Sequence, residues 1–193
     1  SSFSILDVAG GTGDISFRMA KACPSAHITV CDINKEMLRV GKSRAAKLGH
    51  HLTFQQGNAQ DLHDIPSNTY DIYTIAFGLR NVTDVDAALR EANRVLKPGG
   101  RFLCLEFSPH LVSNSALLQQ LYNIYSFEII PQLGRYVAND EDSYKYLVES
   151  IRKFSTPTEL QTRMEQAGMN CCTHEMLTQG VVAIHEGWKE VVL

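Results

Sequence analysis

Residues 6–14, Leu-Asp-Val-Ala-Gly-Gly-Thr-Gly-Asp, decide the fold class of this chain. An apolar stretch that ends at Ala9 runs directly into a glycine-rich turn, and a helical pattern follows. The next apolar stretch ends at Asp32, nineteen residues after Gly13. Glycines let the backbone approach a ligand closely, and an acid at the end of the second strand accepts hydrogen bonds from ribose hydroxyls. This layout predicts a pocket for a cofactor that contains adenosine.

Strand and helix patterns alternate through the first 107 residues, which predicts an α/β, Rossmann-like fold with a mostly parallel seven-stranded sheet. Two later strands, near 169–178 and 181–188, are joined at Gln179-Gly180, which is typical of a two-residue antiparallel hairpin. The first five predicted strands are 4–9, 27–32, 52–56, 71–76 and 101–107, and the helices between them are 13–21, 35–48 and 84–96.

Residues 1–193 are expected to form one domain, because a chain of this length buries a sufficient core without disulfides or metals. Lys97-Pro98-Gly99-Gly100 predicts a tight turn before the fifth strand. After that strand, residues 109–155 break the alternation and carry apolar residues on more than one face. They predict a helical, lid-like insertion over the pocket, with a helix pair that completes the core as the alternative.

Composition narrows the classes of partner. A net charge of −3 argues against a nucleic-acid partner, and the cluster Arg39, Lys42, Arg44 and Lys47 is interpreted as a solvated helix face. Because the five cysteines and seven histidines show no ligand spacing, we predict reduced thiols and no metal site. No apolar run approaches the roughly 20 residues of a transmembrane helix.

The residues after the glycine turn bear on the identity of the cofactor. A dinucleotide site reads G-x-G-x-x-G, whereas here the third small position is Ser16. Asp14 at the start of the helix is expected to repel a pyrophosphate. S-adenosylmethionine has no phosphate and carries a cationic sulfonium, so the acids Asp7 and Asp14 are compatible with it. These residues favour a methyltransferase, and a nicotinamide-dependent oxidoreductase remains the alternative.

Each predicted cofactor contact has a role in this interpretation. Asp7 either orients the loop and the methionine ammonium or caps the turn. Gly11-Thr12-Gly13 is expected to line the methionine part, and Asp32 to bind the ribose hydroxyls. Asn58-Ala59, after the third strand, is expected to meet the adenine edge through backbone amides. A plain turn residue is the alternative for Asn58.

Two longer stretches carry a family resemblance. Residues 77–83, Phe-Gly-Leu-Arg-Asn-Val-Thr, and residues 94–108, Arg-Val-Leu-Lys-Pro-Gly-Gly-Arg-Phe-Leu-Cys-Leu-Glu-Phe-Ser, resemble the signatures of the ubiquinone/menaquinone biosynthesis C-methyltransferases of the UbiE type. The resemblance covers essentially the whole chain and is closest to the eukaryotic mitochondrial members. It implies a class I S-adenosylmethionine-dependent methyltransferase. Some members have serine where this chain has Ala76, a position implied to contact the cofactor, and we expect the N-terminal family segment to be missing here.

The resemblance implies methyl transfer to a ring carbon of a polyprenylated benzoquinol, converting 2-polyprenyl-6-methoxy-1,4-benzoquinol to its 3-methyl product. Arg80 is then expected to stabilise the phenolate, and Asn81 to orient a water or the ring oxygen. Glu106 is expected either to accept a proton or to brace Arg80. A structural ion pair between Arg80 and Glu106 is the alternative. Of Tyr144 and Tyr146, at most one is expected to reach the pocket, and core packing is expected for both.

The implied partners follow from a lipid substrate. They are the membrane surface, at which the protein is peripheral, and other ubiquinone-biosynthesis proteins in a complex, and a homodimer is compatible with the sequence. The implied location is the matrix side of the mitochondrial inner membrane, and the face of residues 117–130 is a candidate path for the isoprenoid tail. Two alternatives stay open: a demethylmenaquinol methyltransferase, and a non-catalytic S-adenosylmethionine-binding subunit of a quinone-synthesis complex.

Overall fold

Seven strands and five α-helices make up the part of the chain that the computed structural model describes, residues 3–109 and 141–191, without the side chains of 141–144 and 179. The strands are β1 Ser4–Val8, β2 His27–Asp32, β3 Thr53–Gln56, β4 Tyr70–Ala76, β5 Leu96–Phe107, β6 Met169–Leu177 and β7 Val182–Lys189. The helices are α1 Asp14–Ala22, α2 Lys35–Leu48, α3 Val85–Val95, α4 Glu141–Lys153 and α5 Pro157–Gln166.

The strands belong to one sheet in the order β3-β2-β1-β4-β5-β7-β6. The pairs among β1 to β5 are parallel, and β7 runs antiparallel to both β5 and β6. The predicted Rossmann-like sheet with an antiparallel C-terminal pair is therefore confirmed. The strand order reverses between β1 and β4, and in sheets of this kind ligands bind beyond the carboxyl ends beside that point.

Side-chain caps set two helix starts. The Asn34 side chain accepts hydrogen bonds from the backbone N–H groups of Glu36 and Met37, as expected of an N-cap. Asp84 Oδ1 accepts from the Ala87 N–H at 2.9 Å, so Asp84 caps α3 and is not its first helical residue. Leu96, predicted as helical, begins β5 instead.

The predicted turn at Lys97–Gly100 is wrong as a boundary, because these residues lie inside β5. Tyr70 of β4 pairs with Leu96, and Ile72 pairs with Arg101, so four residues of β5 bulge opposite one residue of β4. Pro98 has no N–H for the sheet ladder, and Gly99 has a φ of +77°, which accounts for the bulge.

The two-residue hairpin at Gln179-Gly180 is also wrong. Leu177 of β6 pairs with Val182 of β7, so four residues connect the two strands, and a 3₁₀ turn covers Thr178–Gly180. Thr178 has a φ of +49°, a left-handed conformation that its identity does not signal in the sequence. The pairing of the two strands is nevertheless the antiparallel one that the sequence predicts.

The core lies between the sheet and the helices on its faces. On α3, the apolar face of Val85, Leu89 and Ala92 is buried. Cys31 and Cys104 are buried in their strands, and burial raises the pKa of the Cys31 thiol to about 12. These two thiols are therefore structural and not nucleophilic.

Part of the predicted insertion, residues 109–155, contains α4, but residues 110–140 lie outside the described residues, so the lid remains a prediction. The helix α5 begins with a capping box, in which Thr156 and Glu159 each accept the other's backbone N–H. Among the described residues, no helix combines the length and apolar character needed to cross a bilayer.

Candidate active site

The turn after β1 brings the backbone close to the end of β2. The Gly11 N–H donates to Asp32 Oδ2 at 2.9 Å. Gly11 has a φ of +55°, and a Cβ on it would come within 2.8 Å of Met37 Cε on α2. Any side chain at this position would be strained in its backbone and would displace Met37, so the turn requires glycine here.

Asp7, near the end of β1, accepts hydrogen bonds from two neighbouring elements. Its Oδ2 accepts from the Ser16 hydroxyl at 2.5 Å and its Oδ1 accepts from the Thr74 hydroxyl at 2.8 Å, which ties β1 to α1 and β4. Burial raises the pKa of the Asp7 carboxyl, although the two hydroxyls act to lower it. Asp7 is 1% exposed and does not line the cavity described below, which favours the capping role over a contact with the cofactor. Ser16, which looked like a departure from the glycine pattern, is the donor that Asp7 needs.

Asp32 is oriented by two backbone groups. Besides the Gly11 N–H, the Asn34 N–H donates to Oδ1 at 2.8 Å. Each carboxylate oxygen can accept two hydrogen bonds, so each keeps one position for a ligand hydroxyl. The carboxylate is therefore prepared for a ribose and not consumed by the fold.

A cavity of about 370 Å³ opens at the carboxyl ends of β1, β2 and β4. Of the predicted site residues, it is lined by Gly11, Asp32, Asn58, Ala59 and Asn81. The described lining does not include Asp7, Thr12, Gly13 or Ala76. The cavity is also lined by Ile33 and Met37, which the sequence interpretation missed, and by Phe77 and Gly78, to which it gave no contact role.

Ile33 is the most informative of the missed residues. It directly follows Asp32 and leaves 64% of its surface exposed beside the cavity. A large apolar side chain this exposed offers a flat contact for a planar base next to the ribose site. The signal was present in the sequence, as an isoleucine just beyond the acid that ends β2.

Asn58 forms the predicted turn as well as part of the wall. Its Oδ1 accepts from the Gln60 N–H at 3.1 Å, which is an Asx-type turn. This bond orients the side chain, and the backbone and amide NH₂ of Asn58 remain available to a ligand. Ala59 is almost fully buried and lines the same wall.

Asp14 and Thr12 are held by Arg44 on α2. Arg44 Nη2 lies 2.7 Å from Asp14 Oδ1, and its Nη1 donates to the Thr12 hydroxyl at 2.9 Å. The hydrogen bond from Arg44, and then the one that the Thr12 hydroxyl donates to Asp14 Oδ2 at 2.9 Å, lower the pKa of the Asp14 carboxyl to about 2. Arg44 is therefore a tie between α2 and the turn and not simply a solvated residue. Because it balances the charge of Asp14, the repulsion expected for a pyrophosphate is weaker than the sequence suggested.

The segment after β4 touches the glycine turn. Gly78 lies against Ala9, and a Cβ built on Gly78 would overlap the Ala9 Cβ. Ala9 itself has a φ of +53°, in the left-handed region. The methyl group of Ala9 thus fits only because residue 78 has none.

Arg80 and Glu106 form a buried ion pair. Arg80 Nη1 donates to Glu106 Oε1 at 2.8 Å and to the Phe77 carbonyl at 2.5 Å, and the Arg80 N–H donates to Glu106 Oε2 at 3.2 Å. The two side chains are 10% and 0% exposed. Burial raises the pKa of the Glu106 carboxyl even though Arg80 acts to lower it. Arg80 Nε is buried and has no hydrogen-bond partner among the described residues.

Asn81 lies between two cavities. It lines the 370 Å³ cavity, and its Oδ1 accepts from the Tyr146 hydroxyl at 3.3 Å. Tyr146, on α4, is 58% exposed, so core packing was the wrong expectation for it, while the side chain of Tyr144 lies outside the described residues. Tyr146 and Arg80 line a second cavity of about 660 Å³, and Val82 and Thr83 line both.

Comparisons with known proteins agree with this geometry. Residues 1–189 match the model of the ubiE/COQ5 methyltransferase family. The ubiquinone/menaquinone biosynthesis C-methyltransferase UbiE of Rhodopseudomonas palustris (strain HaA2) is 53% identical over 97% of this chain and 74% of its own length. The UbiE protein of Nitrobacter hamburgensis is 54% identical with the same coverage.

Solved structures share the fold at low sequence identity. A SAM-dependent methyltransferase from Aquifex aeolicus superposes with a TM-score of 0.69 at 15% identity, covering 96% of this chain and 81% of that chain. A putative methyltransferase from Bacillus halodurans superposes with a TM-score of 0.68 at 16% identity, covering 98% and 94%. With a family match over nearly its whole length and relatives above 50% identity, this chain belongs to the ubiE/COQ5 family of S-adenosylmethionine-dependent methyltransferases.

Proposed function

We propose that this methyltransferase methylates a ring carbon of a polyprenylated benzoquinol, 2-polyprenyl-6-methoxy-1,4-benzoquinol, in ubiquinone biosynthesis. The observation that carries the proposal is the buried Arg80–Glu106 pair: Arg80 lines the second cavity, and the adjacent Asn81 lines the cofactor cavity. It holds a guanidinium in a fixed position beside the second cavity, where we propose that the phenol ionises. The names of the bacterial relatives, which refer to ubiquinone and menaquinone biosynthesis, support the same class of acceptor.

The residues of the 370 Å³ cavity fit S-adenosylmethionine. None of the described residues that line it is cationic, and Asp32 is the anionic one among them. This charge suits a cofactor with a cationic sulfur and no phosphate better than a dinucleotide. Asp32 would hold the ribose, Ile33 would face the adenine, and the backbone at Asn58-Ala59 would meet its edge. When bound, the cofactor supplies an electrophilic methyl group.

The acceptor needs help from the protein, because a ring carbon is a weak nucleophile until a neighbouring phenol ionises. Phenols titrate near pH 10, so ionisation at neutral pH costs about 4 kcal/mol. Arg80 cannot be the base, since a guanidinium stays protonated. It lowers the cost by stabilising the phenolate through its charge, at a position fixed before the substrate arrives.

Glu106 and Asn81 take different parts in this mechanism. Glu106 is fully buried, lines neither cavity, and accepts hydrogen bonds from the backbone N–H groups of Arg80 and Phe107 as well as from the Arg80 side chain. These contacts favour the bracing role over proton acceptance. Because Asn81 Oδ1 is bonded to Tyr146, its amide NH₂ is left to orient the ring oxygen or the water that takes the proton.

A direct assay tests the proposal. The protein is incubated with labelled S-adenosylmethionine and a reduced, short-tailed 6-methoxybenzoquinol, and the methylated position is identified by mass spectrometry and NMR. Methyl transfer to the ring carbon supports the proposal. Transfer to a demethylnaphthoquinol alone would favour the menaquinone alternative. Binding of S-adenosylhomocysteine with no transfer to either quinol would favour a non-catalytic subunit.

The cellular setting is a separate part of the proposal. A polyprenylated substrate resides in a membrane, so we propose that the protein acts at a membrane surface together with other ubiquinone-biosynthesis proteins, and that a homodimer is the form to test first. The finer location, the matrix side of the mitochondrial inner membrane, rests on the resemblance of residues 77–83 and 94–108. Cell fractionation tests the organelle. Carbonate extraction tests the peripheral attachment, since a peripheral protein is released into the soluble fraction.

A further inference from the structure

Residues 57–67, the larger part of the connection between β3 and β4, form a loop that carries one wall of the cofactor cavity without belonging to a named helix or strand. Asn58 and Ala59 of the loop line the cavity. Within the loop, the backbones of Asn58 and Asp61 pair in an isolated β-bridge. A loop of this length has many backbone groups that need partners, and its order costs conformational entropy. Something outside the loop must therefore hold it in the shape that lines the cavity.

Two charged residues of α3, Glu91 and Arg94, hold the middle of the loop. They bind opposite sides of the same residue: Glu91 Oε2 accepts from the Leu62 N–H at 2.7 Å, and Arg94 Nη2 donates to the Leu62 carbonyl at 2.9 Å. Arg94 Nη1 also donates to the Ile65 carbonyl at 2.8 Å. The planar guanidinium thus spans two loop carbonyls, which a lysine ammonium does not match in geometry.

The two clamping side chains also hold each other. Arg94 Nε lies 2.6 Å from Glu91 Oε1, and its Nη2 donates to Glu91 Oε2 at 2.8 Å. The Arg94 contact lowers the pKa of the Glu91 carboxyl, so the acid is ionised at neutral pH. The Arg94 guanidinium donors and the Glu91 carboxylate acceptor are therefore oriented toward the loop before any ligand binds.

A second tie holds the start of the loop to the other end of α3. The Asp84 N–H, at the N-cap, donates to Gln60 Oε1 at 2.7 Å. Gln60 follows the two residues that line the cavity wall. The loop is thus fixed at both ends of one helix, and that helix begins directly after the Phe77–Thr83 segment on the acceptor side.

We propose that Glu91 and Arg94 are positioning residues for cofactor binding, which act by pre-forming the adenine wall of the cavity through the loop of residues 57–67. Neither side chain lines the cavity. When only a fraction of molecules has the competent loop, the apparent dissociation constant rises by the inverse of that fraction. Loss of the clamp therefore weakens binding without removing any direct contact.

The test compares two conservative arginine variants, one on α3 and one on α5, whose arginines each form an ion pair with an acid on α3. Arg94→Lys keeps the charge and loses the fork, and Arg163→Lys is the matched control, because Arg163 on α5 pairs with Asp86 of α3 at 2.6 Å and does not contact the loop. Dissociation constants for S-adenosylhomocysteine and for 5′-methylthioadenosine are measured by calorimetry, and the free energy of unfolding by urea titration. Neither ligand requires the acceptor, so the result is independent of the proposed quinol chemistry.

We expect Arg94→Lys to raise both dissociation constants about tenfold, and Arg163→Lys to change them less than about twofold at a similar loss of stability. The same factor for both ligands is expected because they share the adenosine. The inference is overturned if Arg94→Lys binds within about twofold of the wild type, or if the control weakens binding as much.

A second variant and a measurement on the unaltered protein cover the case in which Arg94→Lys does not fold. Glu91→Gln keeps an acceptor for the Leu62 N–H but loses the charge, and we expect it to raise the dissociation constants about threefold. In the wild type without ligand, the Leu62 amide is expected to exchange its hydrogen more slowly than the unpaired amides of the loop. Fast exchange at Leu62 together with unchanged binding by Glu91→Gln would overturn the inference.

Discussion

The cofactor side and the acceptor side of the active site are built in different ways. Around the cofactor, one carboxylate, Asp32, accepts hydrogen bonds from the backbone N–H groups of Gly11 in the glycine turn and of Asn34. On the acceptor side, a buried ion pair joins Arg80 to Glu106, twenty-six residues apart and on different elements. The first arrangement uses backbone geometry, and the second uses buried charge. The comparison teaches that local sequence can specify a binding loop, whereas a preformed charge needs tertiary burial.

The largest expected effect comes from removing the charge on the acceptor side. Arg80→Met leaves the Glu106 carboxylate buried without its partner, and we expect it to lower the free energy of unfolding by about 3–5 kcal/mol. Methyl transfer should fall by about 100-fold or more, as for other losses of a preorganised positive or hydrogen-bonding group. Urea unfolding and a quinol assay measure the two effects.

The double variant Arg80→Met with Glu106→Gln separates the loss of stability from the loss of methyl transfer. It removes the uncompensated charge and keeps one of the two oxygens that accept from the backbone, so much of the stability should return and the activity should not. If activity returned with stability, Arg80 would be a structural residue only.

A pH titration tests a buried group on β7, the strand that pairs with the Glu106 strand β5. His185 on β7 pairs with Cys104 on β5, is almost fully buried, and has neither ring nitrogen bonded among the described residues. Burial, and then the neighbouring His174, lowers the pKa of His185 from 6.5 to about 4. The unfolded chain therefore binds a proton at this residue between about pH 6.5 and pH 4 while the folded chain does not, and stability falls as the pH decreases through that window.

The expected loss attributable to His185 is about 3 kcal/mol by pH 4. His185→Asn, which cannot be protonated, should show a flatter dependence of the unfolding free energy on pH between 6.5 and 4. Chemical denaturation at several pH values measures the slopes. Equal slopes in the two proteins would mean that other groups cause the loss.

On the cofactor side, Asp32→Asn tests whether one carboxylate organises the site. We expect the dissociation constant for S-adenosylhomocysteine to rise about 10- to 100-fold, because hydrogen bonds to a charged group contribute about 1.5–3 kcal/mol. Asp14→Asn is the matched control, since Asp14 is exposed and is paired with Arg44 outside the cavity. Calorimetry measures both, and comparable losses in the two variants would contradict the assignment.

The contact between Ala9, at the glycine turn, and Gly78, in the segment after β4, can be tested by moving one methyl group from one residue to the other. Gly78→Ala should destabilise the fold by about 1–3 kcal/mol, because its Cβ would overlap that of Ala9. Adding Ala9→Gly to it removes the overlap and also relieves the left-handed alanine, so stability should recover. Thermal and urea unfolding of the single and double variants measure this, and the absence of recovery would place the strain elsewhere.

The smallest expected effect is at Tyr146. Tyr146→Phe removes one exposed hydroxyl, so folding should be unchanged and the dissociation constant for S-adenosylhomocysteine should stay the same. The rate of methyl transfer should fall about threefold to tenfold, because the Asn81 amide loses the bond that orients it. A rate equal to that of the wild type would show that Asn81 is oriented without Tyr146.

Much of the fold was predictable because its signals are local. The alternation of apolar strands and amphipathic helices located all seven described strands, and the caps at Asn34 and Thr156 were readable as residue types. The errors fell where one residue's backbone departs from its usual conformation. Gly99 lets β5 bulge and continue, and Thr178 adopts a left-handed conformation that lengthens the last loop.

The candidate site divides in the same way. Gly11, Asp32, Asn58, Ala59 and Asn81 were identified from spacing or from resemblance, and they line one cavity. The loop clamp of Glu91 and Arg94 could not be identified, since nothing in the sequence relates an i, i+3 pair on a helix to a carbonyl some thirty residues earlier. Ile33 was in view but unassigned, because exposure is known only after folding.

The sequence by itself determined the class of sheet, the position of the glycine turn and the acid that faces it, because each depends on periodicity or on the properties of single residue types. Tertiary structure alone decided that Asp7 is braced by Ser16 and Thr74, that Arg44 balances Asp14, and that Arg80 is buried against Glu106. The physical reason is that the free energy of a charge depends on its burial and on its partners. Those partners come from segments that only the folded sheet brings together.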